Sequence, residues 1–84
     1  HCLVSRGTLL GHHATLEPFV RLLPGANVAG HVRLCEGVTV GMSAAIVDDV
    51  QVGAGAVVAA GAVVLRDVPP ETRVQGVPAR VFQA

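Results

Sequence analysis

The feature that most constrains this chain is an aliphatic residue at every sixth position. The series begins at Val4 and runs without a break to Val64. A second series of small or aliphatic residues lies four positions after each member, from Thr8 to Val68. Eleven consecutive hexads satisfy both conditions, which chance does not explain. Strict repetition of so short a unit is typical of a solenoid rather than of an ordinary globular core.

The six-residue period excludes an amphipathic helix, whose apolar residues recur at three- and four-residue spacing. A β-sandwich is disfavoured too, because its turns come at wider and less regular intervals. Each hexad instead predicts a short strand and a tight turn, and three hexads make a triangular coil of 18 residues. Glycine recurs at one turn position, as tight corners require: Gly7, Gly25, Gly37, Gly55 and Gly61.

These patterns predict an all-β protein with two segments. Residues 1–70 form a parallel β-helix, whose coils stack at about the 4.8 Å spacing of neighbouring strands. Residues 71–84 form a different C-terminal segment, because Pro69 and Pro70 cannot donate to a strand ladder. Cys2 fits the inward position of a preceding hexad, so we expect the repeat to continue upstream of residue 1.

The composition excludes some classes of binding partner and indicates the cellular compartment. The net charge is zero and the six basic residues are scattered arginines, so neither a nucleic acid nor an anionic membrane is an expected partner. The longest apolar run, residues 54–65, is interrupted by glycine and too short to span a bilayer. Cys2 and Cys35 lie nearly two coils apart, roughly 9 Å, beyond the reach of a disulfide. Reduced thiols are typical of a cytoplasmic protein.

Three stretches carry a family resemblance: GHHATLEPFVRLLPGANVAGHV (11–32), VGAGAVVAAGAVVLRDVPP (52–70) and VQGVPARVF (74–82). With the hexads, they resemble the hexapeptide-repeat acyltransferases, and most of all the sialic-acid O-acetyltransferase and UDP-4-amino-sugar N-acetyltransferase subfamily. The resemblance covers essentially the whole chain. It implies a left-handed β-helix, a homotrimer, and acetyl transfer from acetyl-CoA to an amine or hydroxyl of a small-molecule acceptor, a sugar or nucleotide sugar.

The resemblance also implies roles for individual residues. His12, seven residues before Phe19, takes the position of the catalytic base. His13 stands where the subfamily often has a carboxylate that supports the base. The contacts to acetyl-CoA carry over onto Gly30, Met42, Ala60 and Arg21, the last standing where the subfamily usually has histidine. Arg80, in the C-terminal GVPAR motif, is expected to meet a CoA phosphate, with an exposed terminal arginine as the alternative.

The 18-residue coil gives an independent view of the same site. It stacks His12, Gly30, Asp48 and Arg66 in one corner column, beside a column of His13, His31, Asp49 and Asp67. Ionisable side chains therefore concentrate on one corner of three, which favours a cleft between subunits over a merely solvated edge. A neutral imidazole suits removal of the acceptor proton. We expect His12 to be the base, with His31 as the reserve candidate.

A second corner has room for the cofactor. Met42 lies above Ala60 in a column of small residues, where a pantetheine arm can run parallel to the axis. Backbone N–H groups at the glycine corners are expected to bind its amides and to polarise the thioester carbonyl. Cys35 has no histidine in its column, so an acyl-cysteine mechanism is not expected.

Other functions remain open from the residues alone. Another acceptor class, such as serine, a maltose-type sugar or an acyl carrier, is the nearest alternative. A metal enzyme similar to the γ-type carbonic anhydrases needs convergent ligands, and no second histidine lies a few residues beyond His31, so no metal is expected. A structural or ice-binding β-helix needs ordered threonine arrays, and the chain has only four threonines.

Overall fold

The computed structural model describes residues 2–82. His1, Gln83 and Ala84, which belong to the two predicted segments, lie outside the described residues. Residues 2–82 contain thirteen short strands, of which the first eleven follow the hexads: β1 Leu3–Val4, β2 Leu9–Leu10, β3 Thr15–Leu16, β4 Arg21–Leu22, β5 Asn27–Val28, β6 Arg33–Leu34, β7 Thr39–Val40, β8 Ala45–Ile46, β9 Gln51–Val52, β10 Val57–Val58, β11 Val63–Val64, β12 Arg73–Gln75 and β13 Arg80–Phe82. Among residues 2–82, no helix is long and apolar enough to cross a membrane.

The strands form the three faces of a prism. Face A has the order β1-β4-β7-β10-β12-β13, face B has β2-β5-β8-β11, and face C has β3-β6-β9. Within each face, strands one coil apart pair in parallel, as Leu3 does with Arg21 and Arg21 with Thr39. The predicted fold is confirmed: the chain is a left-handed parallel β-helix of hexapeptide repeats with about four turns.

The core consists of the two periodic series. In each two-residue strand the first side chain points outward and the second inward, because successive residues of a strand face opposite sides. The inward strand residues and the small residues two positions before them fill a narrow interior that leaves no room for aromatic rings. The buried hydrophobic residues are Val20, Leu22, Ala26, Val28, Val32, Leu34, Val38, Val40, Ala44, Ile46, Val50, Val52, Ala56, Val58, Ala62, Val64, Val68 and Val74.

The C-terminal end closes the prism by shortening one coil. Val52 bridges to Val68, 16 residues further on rather than 18, and the Asp67 carboxylate accepts the Gln51 N–H at 2.9 Å. Strand β12 then continues face A, with Val58 paired to Val74 in parallel, and β13 returns antiparallel to β12. Buried Val68 and Val74 therefore continue the core past the two prolines.

The segment between β12 and β13 covers the last strand of face B. The Val63 N–H donates to the Gly76 carbonyl at 3.0 Å, and the Ala79 N–H donates to the Val63 carbonyl at 2.8 Å. The GVPAR motif thus lies along β11, between the two corners that border face B.

Candidate functional site

The corner between faces B and C carries the histidines, and we call residues 12–13, 30–31, 48–49 and 66–67 the histidine corner. Backbone hydrogen bonds hold its coils in register. The His31 N–H donates to the His12 carbonyl at 2.9 Å, and the Asp49 N–H donates to the Gly30 carbonyl at 3.1 Å. The structure therefore brings together His12, His13 and Gly30, as the 18-residue coil predicts.

Three imidazole rings lie next to one another on this corner. The rings of His13 and His31 are stacked, with centroids 5.2 Å apart and planes inclined by 6°. The rings of His12 and His13 are 5.9 Å apart and tilted by 36°. All three side chains are exposed. Within residues 2–82, no carboxylate is hydrogen-bonded to the His12 ring, so its near neighbours are imidazoles.

The histidine corner also differs from the others in its backbone. The second residue of each regular corner is left-handed, and on this corner it is not glycine: His13, His31 and Asp49 have φ of 61°, 60° and 64°, whereas Asp67, in the shortened coil, is not left-handed. A left-handed backbone costs a residue with a side chain about 1–2 kcal/mol. Glycine avoids that cost at five positions of the other two corners: Gly7, Gly25, Gly37, Gly55 and Gly61. Non-glycine exceptions there are Phe19, Ser43 and Glu71.

Gly30 leaves its backbone accessible beside His12. A Cβ atom on Gly30 would lie 3.2 Å from the His12 carbonyl oxygen, which is tighter than an ordinary contact. The Gly30 N–H points away from the β-ladder and donates to Asp48 Oδ1 at 3.1 Å. Because the Asp48 carboxylate occupies this N–H, the amide can donate to a developing oxyanion only after the Asp48 side chain releases it.

Gly30 belongs to a set of corner amides that the β-ladder does not use. Pro18 and Pro24, which have no N–H to donate, occupy the equivalent first corner position. At Glu36 that amide donates to Glu17 Oε1 at 3.1 Å. The amides of Met42 and Ala60 have no hydrogen-bond partner among the described residues.

The glycine amides next to them are not available to a ligand. The Gly25 N–H donates to the Arg6 carbonyl at 3.1 Å, and the Gly61 N–H donates to the Met42 carbonyl at 2.9 Å. These bonds link successive coils. The amides on this corner that remain able to donate to a ligand are therefore those of Met42 and Ala60 rather than those of the glycines.

The remaining predicted residues lie apart from the histidines. Met42, which is exposed, stacks with Ala60 on the corner between faces A and B, which we call the methionine corner (residues 24–25, 42–43 and 60–61). Face B lies between the methionine and histidine corners. Arg21 points outward from face A, between Leu3 and Thr39. One chain alone does not bring these residues to His12.

A cavity of about 290 Å³ lies at the C-terminal end of the histidine corner, between the last coil and the C-terminal hairpin. Its lining includes Leu65, Arg66, Val68, Pro78, Arg80 and Val81. Within residues 2–82, the guanidinium groups of Arg66 and Arg80 have no carboxylate partner. Arg66 belongs to the His12 column of the 18-residue coil, and no role was predicted for it.

The ion pair between Glu17 and Arg33 lies outside this site, on face C. Arg33 Nε donates to Glu17 Oε2 at 3.0 Å, and Nη2 reaches the same oxygen. The hydrogen bond from Arg33 lowers the pKa of Glu17 below its usual value, and Glu17 in turn raises the pKa of Arg33. Within residues 2–82, no three His, Cys, Asp or Glu side chains converge to hold a metal ion.

Among curated proteins, this chain is similar in sequence to acetyltransferases. The serine acetyltransferase of Salmonella typhimurium is 39% identical over 85 residues, which cover 92% of this chain and 31% of that protein. The chain thus spans about a third of the length of the curated relative. No protein-family model matches the chain.

Solved structures agree with this result. The acetyltransferase domain of PglB from Neisseria gonorrhoeae, in complex with acetyl coenzyme A, superposes with a TM-score of 0.95 at 32% identity, covering 96% of this chain and 40% of that chain. The Neisseria gonorrhoeae serine acetyltransferase gives 0.60 at 25% identity, covering 92% and 38%. A histidine-to-alanine variant of the Caulobacter crescentus GDP-perosamine N-acetyl transferase, in complex with CoA and GDP-perosamine, gives 0.59 at 25%, covering 99% and 54%.

Proposed function

We propose that this chain is the hexapeptide-repeat β-helix of an acetyltransferase, and that it moves an acetyl group from acetyl-CoA to an amine or hydroxyl of a sugar or nucleotide sugar. The observation that carries the proposal is the juxtaposition of His12 with the Gly30 amide. This pair lies in a chain that superposes at a TM-score of 0.95 on an acetyltransferase domain in complex with acetyl coenzyme A.

His12 is the general base in this proposal. Its neutral imidazole takes the proton of the acceptor as the amine or hydroxyl attacks the thioester carbonyl. The Gly30 N–H, once the Asp48 side chain releases it, stabilises the oxyanion that forms on that carbonyl. When the tetrahedral intermediate collapses, the C–S bond breaks and CoA leaves as a thiol that takes the proton back from His12. His13 supports the base, and no acyl-enzyme is formed.

The cofactor runs along the prism axis. The amides of Met42 and Ala60 are the donors for the pantetheine arm, and Arg80, with Arg66 in the same cavity, is the partner of the CoA phosphates. The coil spacing supports this assignment, because Arg66 lies three coils from His12, or about 14 Å. An extended pantetheine arm reaches about as far as four or five extended residues, roughly 15 Å.

A homotrimer completes the site. Gly30 and Met42 lie on opposite borders of face B, so a ligand that contacts both bridges the corners of two neighbouring copies. Assembly also supplies burial that a small prism lacks. A neighbouring copy is needed to bring Arg21 of face A to the same cofactor. Two free thiols and a need for acetyl-CoA support a cytoplasmic location.

Serine is the second candidate acceptor, since the 39% identical relative is a serine acetyltransferase. The GDP-perosamine N-acetyl transferase and the serine acetyltransferase superpose equally well, with TM-scores of 0.59 and 0.60, so an assay must separate the two acceptors. Thiol release from acetyl-CoA with L-serine, a UDP-4-amino sugar and GDP-perosamine distinguishes them. We expect turnover with a sugar nucleotide. Turnover with L-serine alone would establish the second candidate, and turnover with none of the three would overturn both.

Replacing His12 by alanine tests the assigned base. We expect acetyl transfer to fall by roughly 10²–10⁴, the usual contribution of a positioned base. Because the His12 side chain is exposed, assembly and CoA affinity should remain at the level of the unmodified protein. His13→Ala should cost less. Full activity in His12→Ala, together with its loss in His13→Ala or His31→Ala, would show that another histidine is the base.

A further inference from the structure

We propose that the stacked rings of His13 and His31 position the base His12, so that His31 is a positioning residue for acetyl transfer. The inference rests on the proposed function and adds a residue to it. The ring planes of this pair are inclined by only 6°, and the His12 ring lies 5.9 Å from that of His13.

The backbone conformation of His13 and His31 indicates that their side chains have a function. Both residues are left-handed, with φ of 61° at His13 and 60° at His31. The same position on the methionine corner is glycine at Gly25 and Gly61 and a small serine at Ser43, with φ of 59°. Glycine meets the geometric demand of the corner without the cost of about 1–2 kcal/mol that a side chain adds. Strain of this kind is characteristic of functional sites.

His31 is connected to His12 in two ways, through the backbone and through the side chains. Through the backbone, the His31 N–H donates to the His12 carbonyl at 2.9 Å. Through the side chains, the His31 ring holds the His13 ring, which borders that of His12. Since no described carboxylate fixes the His12 ring, the neighbouring imidazole is the group that limits its rotation. Loss of the His31 ring therefore frees His13, and His12 with it.

The test removes the ring without straining the corner. In His31→Gly the backbone bond to His12 is retained, and glycine suits the left-handed conformation. We expect kcat to fall by about tenfold to 10², the range for a reacting group displaced by up to 1 Å. The KM for acetyl-CoA and the free energy of unfolding in urea should not fall. His31→Phe keeps a ring for stacking and should restore most of kcat.

Glu71→Gly is the matched control, because Glu71 is left-handed with φ of 58° on a different corner. It should alter stability as His31→Gly does and leave kcat unchanged. His31→Asn, which tolerates the left-handed region without a ring, serves as a second variant if His31→Gly does not fold. The assay uses acetyl-CoA and the fastest acceptor of the three named above.

Two results would overturn the inference. One is wild-type kcat in both His31→Gly and His31→Asn. The other is a His31→Phe variant as slow as His31→Gly, which would assign the effect to imidazole chemistry rather than to stacking. A wild-type protein without any acetyl transfer is a different result, since it removes the proposed function and this inference together.

Discussion

Three glycines sit immediately before a corner, one at each edge of the prism, and their substitution gives a sharp test of the site. Coils approach most closely at these points. A Cβ on Gly11 would lie 2.4 Å from the Gly30 nitrogen, and one on Gly41 would lie 2.5 Å from the Ala60 nitrogen. A Cβ on Gly53 would lie 2.4 Å from the nitrogen of Pro70. Each contact is with backbone of the next coil, which has no flexible side chain to move aside.

The size of the effect follows from these distances. An ordinary contact of a Cβ atom needs at least about 3.4 Å, so the coils must separate by roughly 1 Å in each alanine variant. Overpacking of this kind costs about 1–3 kcal/mol, similar for all three because the clashes are similar. At Gly11 the displacement falls between His12 and Gly30, the proposed base and the proposed oxyanion donor. A 1 Å misplacement there costs about 10²-fold in rate.

The three variants should therefore unfold alike and differ in function. We expect Gly11→Ala to lower kcat by about 10² with acetyl-CoA affinity retained. Gly41→Ala should weaken acetyl-CoA binding, because the displaced amide of Ala60 belongs to the cofactor site. Gly53→Ala, on the remaining corner, should retain both. Urea unfolding, calorimetric titration with acetyl-CoA and steady-state kinetics measure the three quantities.

Gly53→Ala is the decisive control. If it loses as much kcat as Gly11→Ala at equal stability, the loss reports general loosening of the β-helix and not the geometry of the histidine corner. Wild-type kcat in a destabilised Gly11→Ala would refute the assignment of His12 and Gly30 as a reacting pair.

Three further predictions concern the cofactor, the assembly and acid stability. Arg66→Ala and Arg80→Ala should each raise the KM for acetyl-CoA about tenfold, since a charged hydrogen bond contributes about 1.5–3 kcal/mol; an unchanged KM in both places the phosphates elsewhere. Sedimentation at micromolar concentration should give a trimer, and a stable monomer would contradict the shared site. The pKa of Glu17 is lowered by Arg33, so the stability from this pair is present above the ordinary Glu pKa and lost as pH falls through the lowered one. Glu17→Gln should flatten that acid limb in thermal melts, and identical limbs would show that the pair does not contribute.

The strict period explains why the core could be predicted residue by residue from Val20 to Val68, whereas Val4 and Leu10 of the first coil are exposed. Every inward position repeats in each hexad, and parallel pairing at 18 residues then follows from three-sided closure. Val40 lies between Leu22 and Val58, as the period requires. The shortened coil was not predictable in this way. There the Asp67 carboxylate, rather than a backbone carbonyl, accepts the hydrogen bond from the Gln51 N–H. The hexad pattern does not encode this exchange of acceptor.

Part of the candidate site could be predicted from the sequence. Columns of the 18-residue coil bring together His12, His13 and Gly30, and they also contain Arg66. The cavity at Arg66 depends instead on where the C-terminal segment folds back, with Ala79 bonded to Val63. Sequence spacing does not specify that return, and the role of Arg66 was missed.

The sequence also marks the corner positions whose amides the β-ladder does not use. Proline fits only where the backbone N–H is dispensable, and Pro18 and Pro24 stand at the first residue of two corners. By the repeat, the amides of Gly30, Met42 and Ala60 are equally free of the ladder. A β-helix built this way places one amide outside the ladder at each corner whose first residue is not proline, and at Gly30 and Glu36 a carboxylate accepts it. Acetyl transfer needs such donors at two places, beside a thioester carbonyl and along the arm that delivers it. The histidines then decide which corner carries the chemistry.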